Sequence, residues 1–430
     1  MKKSFLAVVA LLLAACMFMA CTKGGGSGAA TGQPVSDDPT QISANLTMWT
    51  GTWNDGLVDQ LLREFQKTYP NINVSCEYTP WDGMEDRYFA AMQAGVIPDI
   101  IDLAIAWTIP FARMGHLLAV DDLAVKYGLN LRDTYYPGGL ETAEVDGRHY
   151  ALPYRTEVMT FIYNKDLFAQ AGLDPDRGPR SWAEVVEMGE KISALGNGIA
   201  GFGVCGYDTG NLTAQVYSIM FSNGVELLSA DQSKAAFNTP AGVEALEFWA
   251  NLRRIAPASV MENDGTANRN LFAEGRVGMI MTGSYDLPAI YEANPNIKMG
   301  FVVYPEFKPN VPRRAQQGGW NIAMTSTCTG NKVDPAFLWI KFLASPEISV
   351  IYSNTISAAK AAINNPIYSD PDLEMFLESL QYGKPVPGNI NMNAITVIMY
   401  NESQGVIAGT KSAQAALNDA ERQVNALLAQ

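Results

Sequence analysis

Alternating and helically spaced apolar residues take turns along this chain. Residues 45–49 read as a strand that stops at Gly51. Over residues 56–69, Leu57, Leu61, Leu62 and Phe65 recur at helical spacing, and Pro70 ends the run. Residues 72–76 alternate again, 84–94 read as a helix closed by Gly95, and 99–103 form an apolar strand. This βαβαβ order predicts an α/β sheet with parallel strands and right-handed crossovers. Ligands on such sheets bind beyond the carboxyl ends of the strands. Those ends carry Trp49 through Asp55, Trp81 with Asp82, and Asp102 through Trp107.

A second α/β block follows. Residues 150–153 and 159–163 are strand-like, and a helix carries Trp182. A glycine-rich strand (199–204), helices at 215–221 and 240–254, and a strand at 277–281 continue it. The pattern returns to a strand at 320–324 and a helix at 335–343, and the C-terminal third is helical, ending in 412–428.

The N-terminus has its own pattern. Lys2 and Lys3 precede an apolar run from Phe5 to Ala20, and small residues lead to a cysteine. That is a secretory signal, too short for a confident membrane span. Cys21 resembles the lipidated cysteine of bacterial lipoproteins. Cys16, after Leu13-Ala14-Ala15, matches the motif more closely, but polar chain begins directly after Cys21, which is therefore favoured. Residues 1–20 would be the signal and 21–41, rich in Gly, Ser, Ala, Thr and Pro, a flexible tether. The body beyond is too long for one compact core and predicts two or three domains.

Composition narrows the function. A net charge of -14 argues against nucleic acid as partner. Cys76, Cys205 and Cys328 are odd in number and widely spaced, so they read as buried thiols. With His116 and His149 the two histidines, a metal centre or a Ser-His-Asp triad has little material, and no cofactor motif is present.

Tryptophans and carboxylates hold the candidate chemistry. Trp182, Trp249 and Trp339 lie in helical patterns and read as core. Trp49, Trp53, Trp81, Trp107 and Trp320 lie near strand or loop ends, where flat rings can stack on a sugar while carboxylates and amides bond its hydroxyls. For Trp53, Trp107 and Trp320, site and core remain equally open. Asp102, Glu157 and Asp208 are also the material for the acid/base pair of a secreted glycoside hydrolase, whose carboxylate separation sequence does not give. A surface adhesin is a third class, and it would expose a large apolar patch.

The ordered segments GLVDQLLREFQKTYPNINV, AAMQAGVIPDIIDL, FARMGHLLAVDDL, VDGRHYALPY, FIYNKDLFAQAGLD, SWAEVVEM, FAEGRVGMIMTGSYD, GGWNIAM and FLWIKFLASPE resemble a family 1 extracellular solute-binding protein of a bacterial ABC importer, the group that includes maltose-binding proteins. The resemblance spans about residues 42–430 and implies an α/β, two-lobe periplasmic-binding-protein fold of type II. Each lobe would be a mixed sheet flanked by helices, the two joined by a multi-strand hinge, with the ligand in the cleft. It implies an N-lobe of 42–155 plus 306–345 and a C-lobe of 156–305 plus 346–430. Crossings would fall near 154–158, Tyr304-Pro305 and Ser345. It implies a monomeric receptor, not an enzyme. The partners would be a carbohydrate, the transmembrane subunits of a permease and, through the N-terminal lipid, the membrane. Carried over by position, the ligand-binding residues are Trp49, Trp53, Asp102, Trp107, Glu157, Tyr207, Asn211, Tyr285, Trp320 and Asn391, beside the Trp81-Asp82 pair. The maltose-binding branch has a further tryptophan near Thr396, which this chain lacks, and this counts against a maltose-like oligosaccharide. A phosphate-bearing ligand would instead require arginine in the cleft, for which Arg87 and Arg155 are the candidates. Arg155 reads otherwise as a hinge or surface residue.

Overall fold

The computed structural model describes residues 38–81 and 83–429. The signal segment, Cys16, Cys21, most of the expected tether and Asp82 lie outside the described residues. Residues 38–41, read from sequence as the tether's end, belong to the body. Pro39–Gln41 forms a 3-10 turn capped by Asp38, and Asn71 Nδ2 donates to Thr40 O at 2.6 Å.

The strands in chain order are β1 (Ala44–Gly51), β2 (Ile72–Thr79), β3 (Ile100–Ala104), the short hairpin β4 (Glu144–Val145) and β5 (Arg148–His149), and β6 (Leu152–Val158). Then come β7 (Thr160–Asn164), β8 (Ala200–Phe202), β9 (Val277–Thr282), β10 (Met299–Val302), β11 (Ala315–Met324) and β12 (Gly383–Lys384). β1 buries Leu46 and Met48 while Asn45 and Thr47 face out, as alternation requires. The helix Leu57–Phe65 buries Val58, Leu61 and Phe65. Each such large apolar side chain contributes about 1.5–3 kcal/mol.

Two sheets result. The first runs β12-β11-β3-β1-β2, with β6 also pairing to β11. β1 is parallel to both β2 and β3, while β11 runs antiparallel to β3 and β6. The second runs β10-β7-β9-β8. Helices cover both, which gives the two-lobe periplasmic-binding-protein architecture.

The chain first crosses at Met159, between β6 and β7, and returns between β10 and β11. Packing moves two of the expected boundaries. Residues 346–369 were expected in the C-lobe. Instead Tyr352 donates to Asp102 of β3 at 2.6 Å, Thr156 N of β6 donates to Ile356 O and Ser357 bridges Arg155, because the helix Pro346–Tyr352 packs against β6. Conversely, Phe307 and Ala315 pack in the second core, and Trp182 N donates to Glu306 O. The helix expected at 215–221 begins at Thr209, because Asp208 caps it by accepting from Asn211 N at 2.8 Å.

The glycines of GGW have a physical cause. Gly319 sits at φ 146°, and a Cβ there would lie 2.5 Å from Arg155 O. Bare backbone lets β11 approach the hinge strand β6, next to the register shift that follows Trp320.

Candidate functional site

Four tryptophans meet at the carboxyl ends of the first sheet. Trp53 rides a 3-10 turn (Thr52–Asn54) directly after β1 and folds back over Gly51, where any Cβ would strike its ring. Trp107 stands in the first turn of the helix Ile105–Arg113, which starts as β3 ends. Trp320 lies on β11, paired to Ala104 of β3 and Arg155 of β6. Trp81 follows β2. Trp53 and Trp320 pack edge-on at 4.8 Å, Trp81 stacks on Trp107 at 5.6 Å, and Trp320 meets both Trp81 and Trp107 at 5.9 Å. Trp107 and Trp320 are 7% and 6% exposed, whereas Trp81 is 42% exposed. Trp49 stands behind this face. It packs on Tyr88, which in turn touches Trp107, and Arg87 lies over its ring at 4.1 Å.

Further predicted site residues lie beyond β6. Tyr207 is exposed and Asn211 half-buried in the first turn of Thr209–Ser222. A Cβ on Gly210 would lie 3.3 Å from Trp81 Cζ2, so Trp81 reaches the helix Thr209–Ser222 of the second lobe. Tyr285 occupies the turn Ser284–Asp286 after β9. Asn391 is half-buried ahead of the helix Met392–Ile407, and its N–H bonds Asn389 Oδ1.

Arg155 and Glu157, both on β6, form a buried ion pair. Arg155 donates Nη2 at 2.7 Å and Nε at 3.1 Å to one Glu157 oxygen. The guanidinium also lies 5.1 Å from the Tyr285 ring centre. Burial pulls the Arg155 pKa down, but Glu157 beside it wins and raises it. Burial raises the Tyr285 phenol.

Asp102, expected to meet ligand, does not reach the cleft surface. It is fully buried, and its Oδ2 accepts from Thr50, from Tyr352 at 2.6 Å and from Tyr154 at 3.3 Å. Burial pushes its pKa up to about 7 against these hydrogen bonds. Asp208, drawn up by burial against bonds from Asn211, caps its helix. The three carboxylates offered as an acid/base pair are thus held separately: Asp102 by a buried hub, Glu157 by an arginine, Asp208 by a helix start.

Sequence reasoning missed Glu85. It stands in the first turn of the helix Met84–Ala94, and burial with the nearby Asp86 pushes its pKa up to about 8 against the opposing pull of the Trp107 indole. The one available signal was its position four residues after Trp81. Tyr154 and Tyr352 were also missed, since only tertiary contact shows their role.

The architecture is that of a two-lobed receptor, with the tryptophan cluster on the first lobe beside the strand β6 that leads into the second. Residues 50–349 match the family model described as bacterial extracellular solute-binding protein, and the chain belongs to that family. It is a solute-binding receptor of an ABC transporter, working outside the cytoplasm. Among the described residues, no helix is long and apolar enough to cross a membrane. The chain is 22% identical over 412 residues to the sn-glycerol-3-phosphate-binding periplasmic protein UgpB of Brucella abortus (strain 2308), covering 89% of this chain and 93% of that one. It superposes with a TM-score of 0.81, at 26% identity, on an ABC transporter solute-binding protein of Thermotoga lettingae bound with α-D-tagatose, covering 90% of this chain and all of that one. Maltose-bound MalE3 of T. maritima superposes at 0.79, with 24% identity, covering 89% of this chain and 99% of that one.

Proposed function

We propose that this receptor captures a neutral carbohydrate, mono- or oligosaccharide, between an aromatic wall and a polar wall, and hands it to the transmembrane subunits of its permease. One observation carries the choice of a neutral ligand: the arginines beside the aromatic face are already engaged. Arg155 is paired to Glu157 and Arg87 lies over Trp49 while bonding Glu77 and Thr79. A phosphate would have to break one of these arrangements, whereas a sugar needs flat rings and amide or carboxylate partners. Trp53, Trp81, Trp107 and Trp320 then face the ring of the sugar, and Glu157, Tyr207, Asn211, Tyr285 and Asn391 supply the polar edge. Trp49 supports from behind. Ligand that touches both walls favours closure, and the permease reads closure. The chain works as a monomer, held at the membrane by lipid on Cys21, or on Cys16.

The relation to UgpB, whose name gives sn-glycerol 3-phosphate as its ligand, makes a phosphate ester the competing reading. A thermal-shift panel of sugars, sugar alcohols and sn-glycerol 3-phosphate on the purified protein separates them. Ligand at 100 times its dissociation constant adds about 2.7 kcal/mol. A shift with a sugar, recovered unchanged, supports this function. A shift with the phosphate ester alone overturns the neutral-ligand reading, and a consumed sugar would revive the hydrolase.

A further inference from the structure

We propose that Asp102 is a positioning residue whose protonation state sets the seat of Trp53 in the aromatic wall. It rests on the carbohydrate reading only in taking Trp53 as part of that wall. Asp102 Oδ2 gathers four side chains: Thr50, Asn54 at 3.5 Å, Tyr154 and Tyr352. Thr50 and Asn54 bracket Trp53, and Asn54 Nδ2 also donates to Thr50 Oγ1 at 2.9 Å. Tyr154 adjoins Arg155 on the hinge strand. The carboxyl is therefore bonded to both anchors of the turn that presents Trp53 and to the strand that joins the lobes.

Two acceptors of the hub lack a donor. Asp102 Oδ1 and Asn54 Oδ1 are both buried acceptors without a hydrogen-bond partner, a costly arrangement in a low-dielectric interior. A proton on Asp102 supplies a donor; its loss adds a full buried charge that draws Thr50, Asn54 and the tyrosines inward. The other ionisable groups facing this carboxyl are Tyr154 and Arg155 of β6, Tyr352 of the helix Pro346–Tyr352, Tyr88 of the helix Met84–Ala94 and Cys76 of β2. Burial drives the three phenols well above their usual range and the thiol up to about 12, while Glu157 keeps Arg155 charged. Asp102, at about 7, is the member of this group that changes charge near neutrality.

The test needs no ligand. Tryptophan emission of the full, ligand-free protein is followed from about pH 6 to about pH 8, in a Glu85→Gln background that removes the separate titration beside Trp107. A step centred at about 7 is expected. Asp102→Asn should abolish it, and so should Trp53→Phe. Tyr352→Phe should move the midpoint to higher pH, because the ionised carboxylate loses a donor. No step in the background protein, or a step that survives Asp102→Asn or Trp53→Phe, overturns the proposal. If Asp102→Asn does not fold, Tyr352→Phe decides, and an unmoved midpoint overturns it. Failure of every sugar to bind would strike the carbohydrate reading and leave this result standing.

Discussion

Seven of the eight tryptophans, all but Trp49, fall into two populations that differ in what surrounds them. Trp182, Trp249 and Trp339 are at most 1% exposed, each on a helix packed within one lobe. Trp182 is ringed by Phe161, Phe202, Phe248 and Tyr304, and Trp339 by Phe65 and Phe342. The set at the strand ends is different. Trp53, Trp81, Trp107 and Trp320 pack chiefly on one another, come from four separate segments, and grade from 6% exposure at Trp320 to 42% at Trp81. In the first set each ring fills volume inside a lobe. In the second, three strand ends and one position inside β11 hold rings against one another. Ring burial alone does not separate the sets, since Trp320 is nearly as enclosed as a core residue. Trp107 and Trp320 share a buried core with Trp339; what sets the second group apart is that its rings pack chiefly on one another and that Trp81 reaches Gly210 of the second lobe.

The largest effect should fall on the core set. Trp249→Ala removes a ring that is fully buried and donates to Gln215 at 3.3 Å, and should destabilise by about 3–5 kcal/mol in denaturant unfolding. Sugar affinity of the molecules that still fold should not change. A loss of affinity in folded Trp249→Ala would break the division.

Next is the hinge, which belongs to both regions. Arg155→Leu leaves Glu157 as an unpaired buried carboxylate and should destabilise by about 3–5 kcal/mol. The double change Arg155→Leu with Glu157→Leu should recover much of that loss. If the double variant is no better than the single one, the pair is not the unit described.

The pH dependence of stability comes next. Asp102 ionises near 3.9 in the unfolded chain but at about 7 in the folded one. Between those values the folded state holds a proton that the unfolded state has released. The Asp102 contribution is therefore fully present at acid pH and is lost as pH rises through about 7. Asp102→Asn should flatten that decline in chemical denaturation, and an unchanged slope would show that the carboxyl is ionised throughout.

Much of this was legible in the sequence. The helices Leu57–Phe65 and Met84–Ala94 and the strands beside them follow from periodicity, and the family from ordered motifs. The core assignment of Trp182, Trp249 and Trp339 also followed, because an apolar ring in an amphipathic helix has one place to go. Asp102 shows where sequence runs out. A carboxylate at a strand end looks the same whether it faces the cleft or a buried Tyr154 and Tyr352, and Tyr352 is far away in the chain. The boundary drawn at Ser345 failed for the same reason. Nothing local marks that the helix Pro346–Tyr352 turns back against β6. Glu85 had no periodic or motif signal strong enough to stand out from a solvated helix start.

The last and finest test uses the most exposed ring. Trp320→Ala would mix both effects, since that ring is 6% exposed and supports three others. Trp81 is cleaner. Its ring is 42% exposed, stacks on Trp107 and reaches Gly210 of the second lobe. Trp81→Ala should leave unfolding of the ligand-free protein within about 0.5 kcal/mol of the parent. It should weaken binding of the sugar found in the thermal-shift panel by about 1–3 kcal/mol, as loss of a stacking anchor does. Calorimetric titration and denaturant melts on the same preparation check both halves. If Trp81→Ala unfolds early and binds normally, the clustered tryptophans are core after all, and the distinction between the two populations fails at the member where it should be easiest to see.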